Sequence, residues 1–282
     1  MRNVSHVDFR PNVRSSGMLM TLVNGVEMAV RRGGEGTPIV FVHGFPLDHR
    51  MWDAQFEVFS LRAQVIVPDL RGFGNSVTAD DEVTMPQFAD DIAALLPAIE
   101  IQEPVVLCGL SMGGYIALEF ARRHPDRLRG LILCDTHARG DTPDSAENRL
   151  KTAERVLREG PAFLADEMLS KLLAPATIEN KPHVVEKIRD MITENHAKGV
   201  AAALRGMAKR DKAEEWLDRI ECPCRVIVGA EDVITPPEVM RDLADRLPNA
   251  GYAEIENAGH MAPMEQPKAV NDVIGAFLDT LK

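Results

Sequence analysis

The order of apolar and polar positions changes character repeatedly along the chain, and each change marks an element. Residues 18–32 read as a hairpin around Asn24-Gly25, a dipeptide that suits a two-residue type I′ turn. Short apolar runs near 38–43, 64–68, 104–109, 128–134, 224–229 and 251–256 predict buried strands. Between them, helical spacing near 49–60, 85–100, 112–124, 236–247 and 267–281 predicts helices. A strand rhythm broken by helices predicts a mostly parallel sheet of eight strands with helices on both faces, because parallel neighbours need a crossover between them. The hairpin would then form one edge.

From Thr136 to about Arg210 that rhythm stops. Charged helical segments replace it, separated by Gly160-Pro161, Ala174-Pro175 and Lys198-Gly199, and predict a small helical lid of about four short helices. The chain therefore divides into a first core part (1–135), the lid insertion (136–210) and a second core part (211–282). Helical spacing assigns most of the lid's apolar residues to packing. Among them Met168, Leu172, Met191 and Met207 are candidates to line a partly hydrophobic substrate pocket, which methionines would let adapt.

The chemistry begins at residues 105–114, a buried strand that runs into a serine between glycines and then into a helix. Gly109-Leu110-Ser111-Met112-Gly113 is a Gly-x-Ser-x-Gly elbow, in which so sharp a turn forces the serine into a strained conformation and the flanking glycines avoid the clash. The turn would lift the Ser111 hydroxyl clear of the sheet above a helix N-terminus. A serine hydroxyl is a weak nucleophile and needs a base, and the base needs an acid to orient it. The run 226–229 breaks at Gly229 and delivers Asp232, the candidate acid. The run 251–256 is followed by Asn257-Ala258-Gly259-His260, which makes His260 the candidate base. Asp135 and Glu231 are rival acids, and the Gly-x-x-Asp break favours Asp232. An early strand ends at His43-Gly44-Phe45, so the backbone N–H groups of Phe45 and Met112 are candidates to stabilise an oxyanion. His43 reads as a brace for that loop, and Asp69 and Arg71 as structural residues of the loop after residue 68.

Composition narrows the choices. The chain has 282 residues, 45% hydrophobic and 27% charged, enough for one core plus an insertion. A formal net charge of −11 disfavours nucleic acid and anionic lipid as partners. No stretch is long and apolar enough to span a membrane, and residues 1–17 lack the apolar core of a secretory leader, which makes the cytoplasm the expected location. The four cysteines lack paired C-x-x-C spacing and the histidines lack H-E-x-x-H spacing, so neither a metal nor another cofactor is expected.

Several motifs in register resemble the α/β-hydrolase fold: His43-Gly44-Phe45-Pro46, Asp69-Leu70-Arg71-Gly72-Phe73-Gly74-Asn75-Ser76, the elbow, Gly229-Ala230-Glu231-Asp232, and Gly259-His260 followed by Met264-Glu265-Gln266-Pro267. Around the elbow and at Leu131-Ile132-Leu133-Cys134-Asp135-Thr136 the chain is most similar to carboxylesterases and 3-oxoadipate enol-lactonase-like proteins. The resemblance implies a serine hydrolase that cleaves a small-molecule carboxylic ester through an acyl-enzyme, with the chain order Ser111, Asp232, His260 typical of the fold. A lactonase is the alternative; it would need lid basic residues such as Arg149, Arg155, Lys171 and Arg205 to bind a dicarboxylate. A C–C hydrolase or a perhydrolase could use the same triad, and a ligand receptor could keep the fold without turnover. Dehalogenases and epoxide hydrolases of this fold require a carboxylate where Ser111 stands. Oligomeric state is not encoded in any of these features.

Overall fold

The computed structural model of the protein describes residues 17–281. The expectation that residues 1–17 carry no leader falls, apart from Gly17, outside the described residues. Eight strands form one sheet: β1 (Met18–Val23), β2 (Val26–Gly33), β3 (Pro38–Val42), β4 (Gln64–Pro68), β5 (Val105–Leu110), β6 (Leu128–Cys134), β7 (Cys224–Gly229) and β8 (Ala250–Ile255), in the spatial order β1-β2-β4-β3-β5-β6-β7-β8. β1 pairs with β2 and β2 with β4 in antiparallel fashion, and every later pairing is parallel. At the β1–β2 turn Asn24 and Gly25 have φ of 45° and 80°, the double positive φ that a type I′ turn requires.

Helices α1 (Asp53–Phe59), α2 (Met85–Ala98), α3 (Met112–Arg123), α9 (Pro237–Arg246), α10 (Ala262–Glu265) and α11 (Pro267–Thr280) accompany the sheet. α1 packs with α11 and α2 with α3, and the two pairs cover the strands. The cover explains why β3 and β5 are continuous apolar runs with every residue buried: a strand shielded on both faces has no side to turn to water. The parallel strands all end at the same edge of the sheet, where an open α/β fold gathers its loops and its chemistry.

Between β6 and β7 lie five helices: α4 (Pro143–Glu159), α5 (Ala162–Leu172), α6 (Pro175–Asn180), α7 (Pro182–Glu194) and α8 (Ala197–Met207). The expectation was four, and the breaks differ for identifiable reasons. Pro182 disfavours the helical conformation at Lys181, which takes φ −128° and ψ 61° and divides α6 from α7. Lys198-Gly199 is no break at all. It lies inside α8, and the chain turns instead at Asn195.

Candidate active site

Ser111 occupies the junction of β5 and α3 with φ 54° and ψ −113°, the left-handed strain that the elbow spacing predicts. Four hydrogen bonds hold this backbone in place. Its N–H donates to the Cys134 carbonyl at 3.0 Å, and its own carbonyl accepts from the Gly114 N–H at 2.9 Å, the Tyr115 N–H at 3.2 Å and the Thr136 Oγ1 hydroxyl at 2.8 Å. The glycines of the motif are needed for close approach. A Cβ on Gly109 would stand 2.2 Å from the Gly113 carbonyl oxygen, and one on Gly113 would stand 2.3 Å from the Val42 carbonyl oxygen of β3.

Asp232 and His260 follow β7 and β8, and both are almost fully buried, at 3% and 2% exposure. His260 Nδ1 lies 2.8 Å from Asp232 Oδ2, and Thr235 Oγ1 donates to the same oxygen. Asp232 Oδ1 accepts the backbone N–H groups of Ile234 and Thr235 at 2.8 and 3.1 Å. Burial alone would push this carboxyl up, but the neighbouring His260 charge and the hydrogen bonds from His260 and Thr235 outweigh it and hold Asp232 below the ordinary carboxylate value. Among the described residues no hydrogen bond joins Ser111 Oγ to His260 Nε2, a contact that commonly tightens only with substrate in place.

The third component is the loop after β3. A Cβ on Gly44 would come within 2.9 Å of Leu110 Cδ2 and 3.5 Å of Ser111 Cβ, so the Gly44-Phe45 backbone passes directly beside the serine. The Phe45 N–H donates to no protein group among the described residues, and the Met112 N–H opens α3, where no intrahelical acceptor exists. His43 is fully buried and braces the loop. The Leu70 N–H donates to its Nε2 at 3.0 Å, which leaves Nδ1–H to donate to the Gly44 carbonyl at 3.0 Å. Burial holds its pKa below the ordinary histidine value against the pull of Asp69 and Asp48, so the ring is neutral.

The rival acid Asp135 has a different environment. It follows β6 with φ 43°, its Oδ1 accepts the Gly229 N–H at 2.8 Å, and its buried Oδ2 has no partner among the described residues. Burial first, then the charge of Asp232, pushes its carboxyl well above the ordinary value. The native chain therefore holds this proton to higher pH than the unfolded chain does, and stability falls as the pH rises through that interval. Asp135→Asn removes the titration and keeps an oxygen for the Gly229 N–H. Urea unfolding is expected to show the variant gaining on the parent as the pH rises above the ordinary carboxylate value; a pH-independent difference would mean that the carboxyl is not perturbed. Glu231 is exposed and carries no side-chain hydrogen bond among the described residues.

Two residues without a role assigned from sequence support these loops, and the first of them joins the insertion to the histidine loop. Glu265 is fully buried; its Oε1 accepts the Gly259 N–H and its Oε2 the Ala174 N–H, each at 2.8 Å. The Met261 N–H reaches the Leu172 carbonyl at 3.1 Å, so the C-terminal end of α5 rests beside His260. Thr235 is the other, a direct partner of Asp232. A Thr three residues after the acid is a visible pattern, but only the fold shows where its hydroxyl goes. Of the four insertion residues expected near substrate, Leu172, Met191 and Met207 are buried and Met168 keeps partial exposure. Asp69 and Arg71 are held in networks: Asp69 Oδ1 accepts from His49 and its Oδ2 from Asn75, while Arg71 forks onto Asp91 with two 2.7 Å bonds. Asp48, His49 and Asp69 are close enough to share an ion, but Arg50 and these donors already occupy the carboxylates.

The fold and these loops define an α/β hydrolase, and sequence comparison agrees: residues 39–273 match the alpha/beta hydrolase family, to which this chain belongs. Among curated relatives, 3-oxoadipate enol-lactonase 2 of Acinetobacter baylyi is 28% identical over 240 residues, which cover 85% of this chain and 88% of that protein. Among solved structures, a thermophilic esterase from Thermogutta terrifontis with malate bound is 46% identical, with a TM-score of 0.92 over 94% of this chain and 99% of that one. The enol-lactonase of Burkholderia xenovorans is 30% identical, with a TM-score of 0.85 over 91% and 98%. No helix among the described residues is long and apolar enough to cross a membrane.

Proposed function

We propose that the protein is a serine hydrolase of carboxylic esters, with Ser111 as nucleophile, His260 as base and Asp232 as the acid that orients it. The observation that carries this reading is the buried 2.8 Å pair of His260 Nδ1 and Asp232 Oδ2 on loops at the sheet edge where the strained Ser111 stands. With Nδ1–H donated to Asp232, the lone pair on Nε2 is free to take the Ser111 proton as Oγ attacks the ester carbonyl. The Phe45 and Met112 N–H groups would receive the oxyanion. The proton on Nε2 then passes to the departing alkoxide, and water repeats the sequence to release the acid. The five inserted helices act as a lid, residues 136–210, over a substrate pocket to which Met168, Leu172, Met191 and Met207 contribute.

The similarity to enol-lactonases keeps lactones as a second substrate class. Pairing within the insertion favours the ester. Arg149 is bound to Asp141, Arg155 to Glu159 and Glu167, and Arg205 to Glu154, so of the four basic residues that could receive a dicarboxylate only Lys171 lacks a carboxylate partner among the described residues. Turnover of p-nitrophenyl esters from acetate to decanoate, measured beside 3-oxoadipate enol-lactone, decides between the two. Short esters are expected to turn over best; lactone turnover orders of magnitude above every ester would make the protein a lactonase. A chain that neither hydrolyses any of them nor captures a fluorophosphonate would be a receptor.

A further inference from the structure

The Phe45 N–H can serve an oxyanion only if its peptide plane is held, and the structure shows what holds it. A trans peptide points its C=O and N–H in opposite directions, so fixing the Gly44 carbonyl fixes the direction of the Phe45 N–H. That carbonyl accepts from His43 Nδ1 at 3.0 Å and from the Leu47 N–H at 3.0 Å. The second bond closes a turn over residues 44–47, and its far side is gripped by one side chain from the insertion. Asn195, at the α7–α8 junction and 5% exposed, donates from Nδ2 to the Pro46 carbonyl at 2.8 Å, the Leu47 carbonyl at 3.3 Å and the Met191 carbonyl at 2.8 Å. Its Oδ1 accepts the Gly74 N–H at 2.7 Å from the loop after β4. One carboxamide thus ties three segments together, with its acceptor and both donor hydrogens in use.

The junction that carries Asn195 has little freedom to drift. α8 lies backbone against backbone on the core: a Cβ on Gly199 would stand 1.8 Å from the Gly72 carbonyl oxygen, and one on Gly206 would stand 1.8 Å from that of Val83. The Val83 N–H also donates to the Ala202 carbonyl at 3.1 Å. Asn195 is therefore anchored on one side by contacts that leave no room for a side chain, and reaches from there to the turn.

We propose that Asn195 is a positioning residue for the oxyanion site, fastening the insertion to the Pro46 and Leu47 carbonyls so that the Phe45 N–H stays aimed at the carbonyl carbon's developing oxyanion. The inference rests on the serine-hydrolase reading above. It assigns to the insertion a part in the chemistry as well as in covering substrate.

Asn195→Asp keeps the acceptor for Gly74 but replaces the donor with an oxygen facing three carbonyls; Asn195→Ala removes both and serves if the first variant does not fold. Lys187→Met is the control, because the Lys187–Asp53 pair at 2.5 Å also ties α7 to the core without touching the turn. A whole oxyanion donor is worth about 100- to 1,000-fold in turnover, so misaiming one is expected to lower kcat by roughly 30- to 100-fold, with KM changed less than about threefold. Affinity for a trifluoromethyl ketone, which places a hemiketal oxyanion in the same site, should fall by a similar factor, while Lys187→Met leaves kcat and that affinity unchanged. Wild-type kcat in a folded Asn195 variant, a loss confined to KM, or an equal loss in Lys187→Met would overturn the proposal and leave the triad assignment standing. An unsubstituted chain inert to every ester and to the ketone would instead remove the serine-hydrolase reading, and this inference with it.

Discussion

Ser111→Ala is expected to lower ester turnover by about a millionfold and to abolish covalent capture of a fluorophosphonate, while the thermal unfolding midpoint stays close to that of the parent. The magnitude follows from the roles proposed for the three groups. Without Oγ no acyl-enzyme can form, and the base has no proton to take. His260→Ala should cost about as much, and the double variant little more than either alone, because members of one chemical unit do not contribute additively. Asp232→Asn should cost about ten-thousandfold, since a carboxamide opposite Nδ1 favours the wrong tautomer. Asp135→Asn should retain turnover: its carboxyl is pushed up by burial and the Asp232 charge, and among the described residues it bonds only to the Gly229 N–H. Steady-state rates on one short ester for the parent and the five variants check this ranking. Activity retained without Ser111, or lost with Asp135 and kept without Asp232, would reassign the site.

Gly113→Ala is expected to prevent stable folding even though it adds one methyl group. The new Cβ would stand 2.3 Å from the Val42 carbonyl oxygen and 2.9 Å from that of His43, both backbone atoms of the β3 edge that carries the loop beside Ser111. No rotamer relieves a backbone clash. α3 or β3 must move, and β3 is hydrogen-bonded between β4 and β5 at the centre of the sheet. The cost belongs with the rare single substitutions above about 4 kcal/mol, visible as loss of soluble protein or a collapsed urea midpoint. Gly275→Ala in α11 is the contrast. Its Cβ would meet nothing nearer than Arg62 Nη2 at 3.4 Å, and helix propensity should make the variant more stable by up to about 1 kcal/mol. If both variants unfolded alike, the clash at the elbow would not be the cause.

Much of the candidate site was legible before any coordinates because its signals are local. The Gly-x-Ser-x-Gly spacing encodes a turn that only those residue types can make, and Ser111 adopts the strained φ it predicts. Gly229 ends one strand run and Asn257-Ala258-Gly259 follows the next, which placed Asp232 and His260 at the same edge of the sheet. The insertion was less legible. Lys198-Gly199 looked like a helix break because glycine lowers helix propensity, yet Gly199 lies within α8 where it can touch Gly72. Pro182, a true break, was hidden among charged helical residues.

The chain by itself therefore determined the alternation of strands and helices, the position of the elbow and the order of Ser111, Asp232 and His260 at strand ends, since each depends on periodicity and on backbone limits within a few residues. Tertiary structure alone decided which groups complete them. Asp135 and Asp232 are both acidic residues beyond strand ends, and they differ because Asp232 faces His260 and three donors while Asp135 faces Asp232 itself. Glu265 reaches Ala174 across 91 positions, and Asn195 reaches Pro46 across 149. No local pattern can carry such pairings, because they are made only when burial has removed water and left each polar atom to find its partner inside the protein.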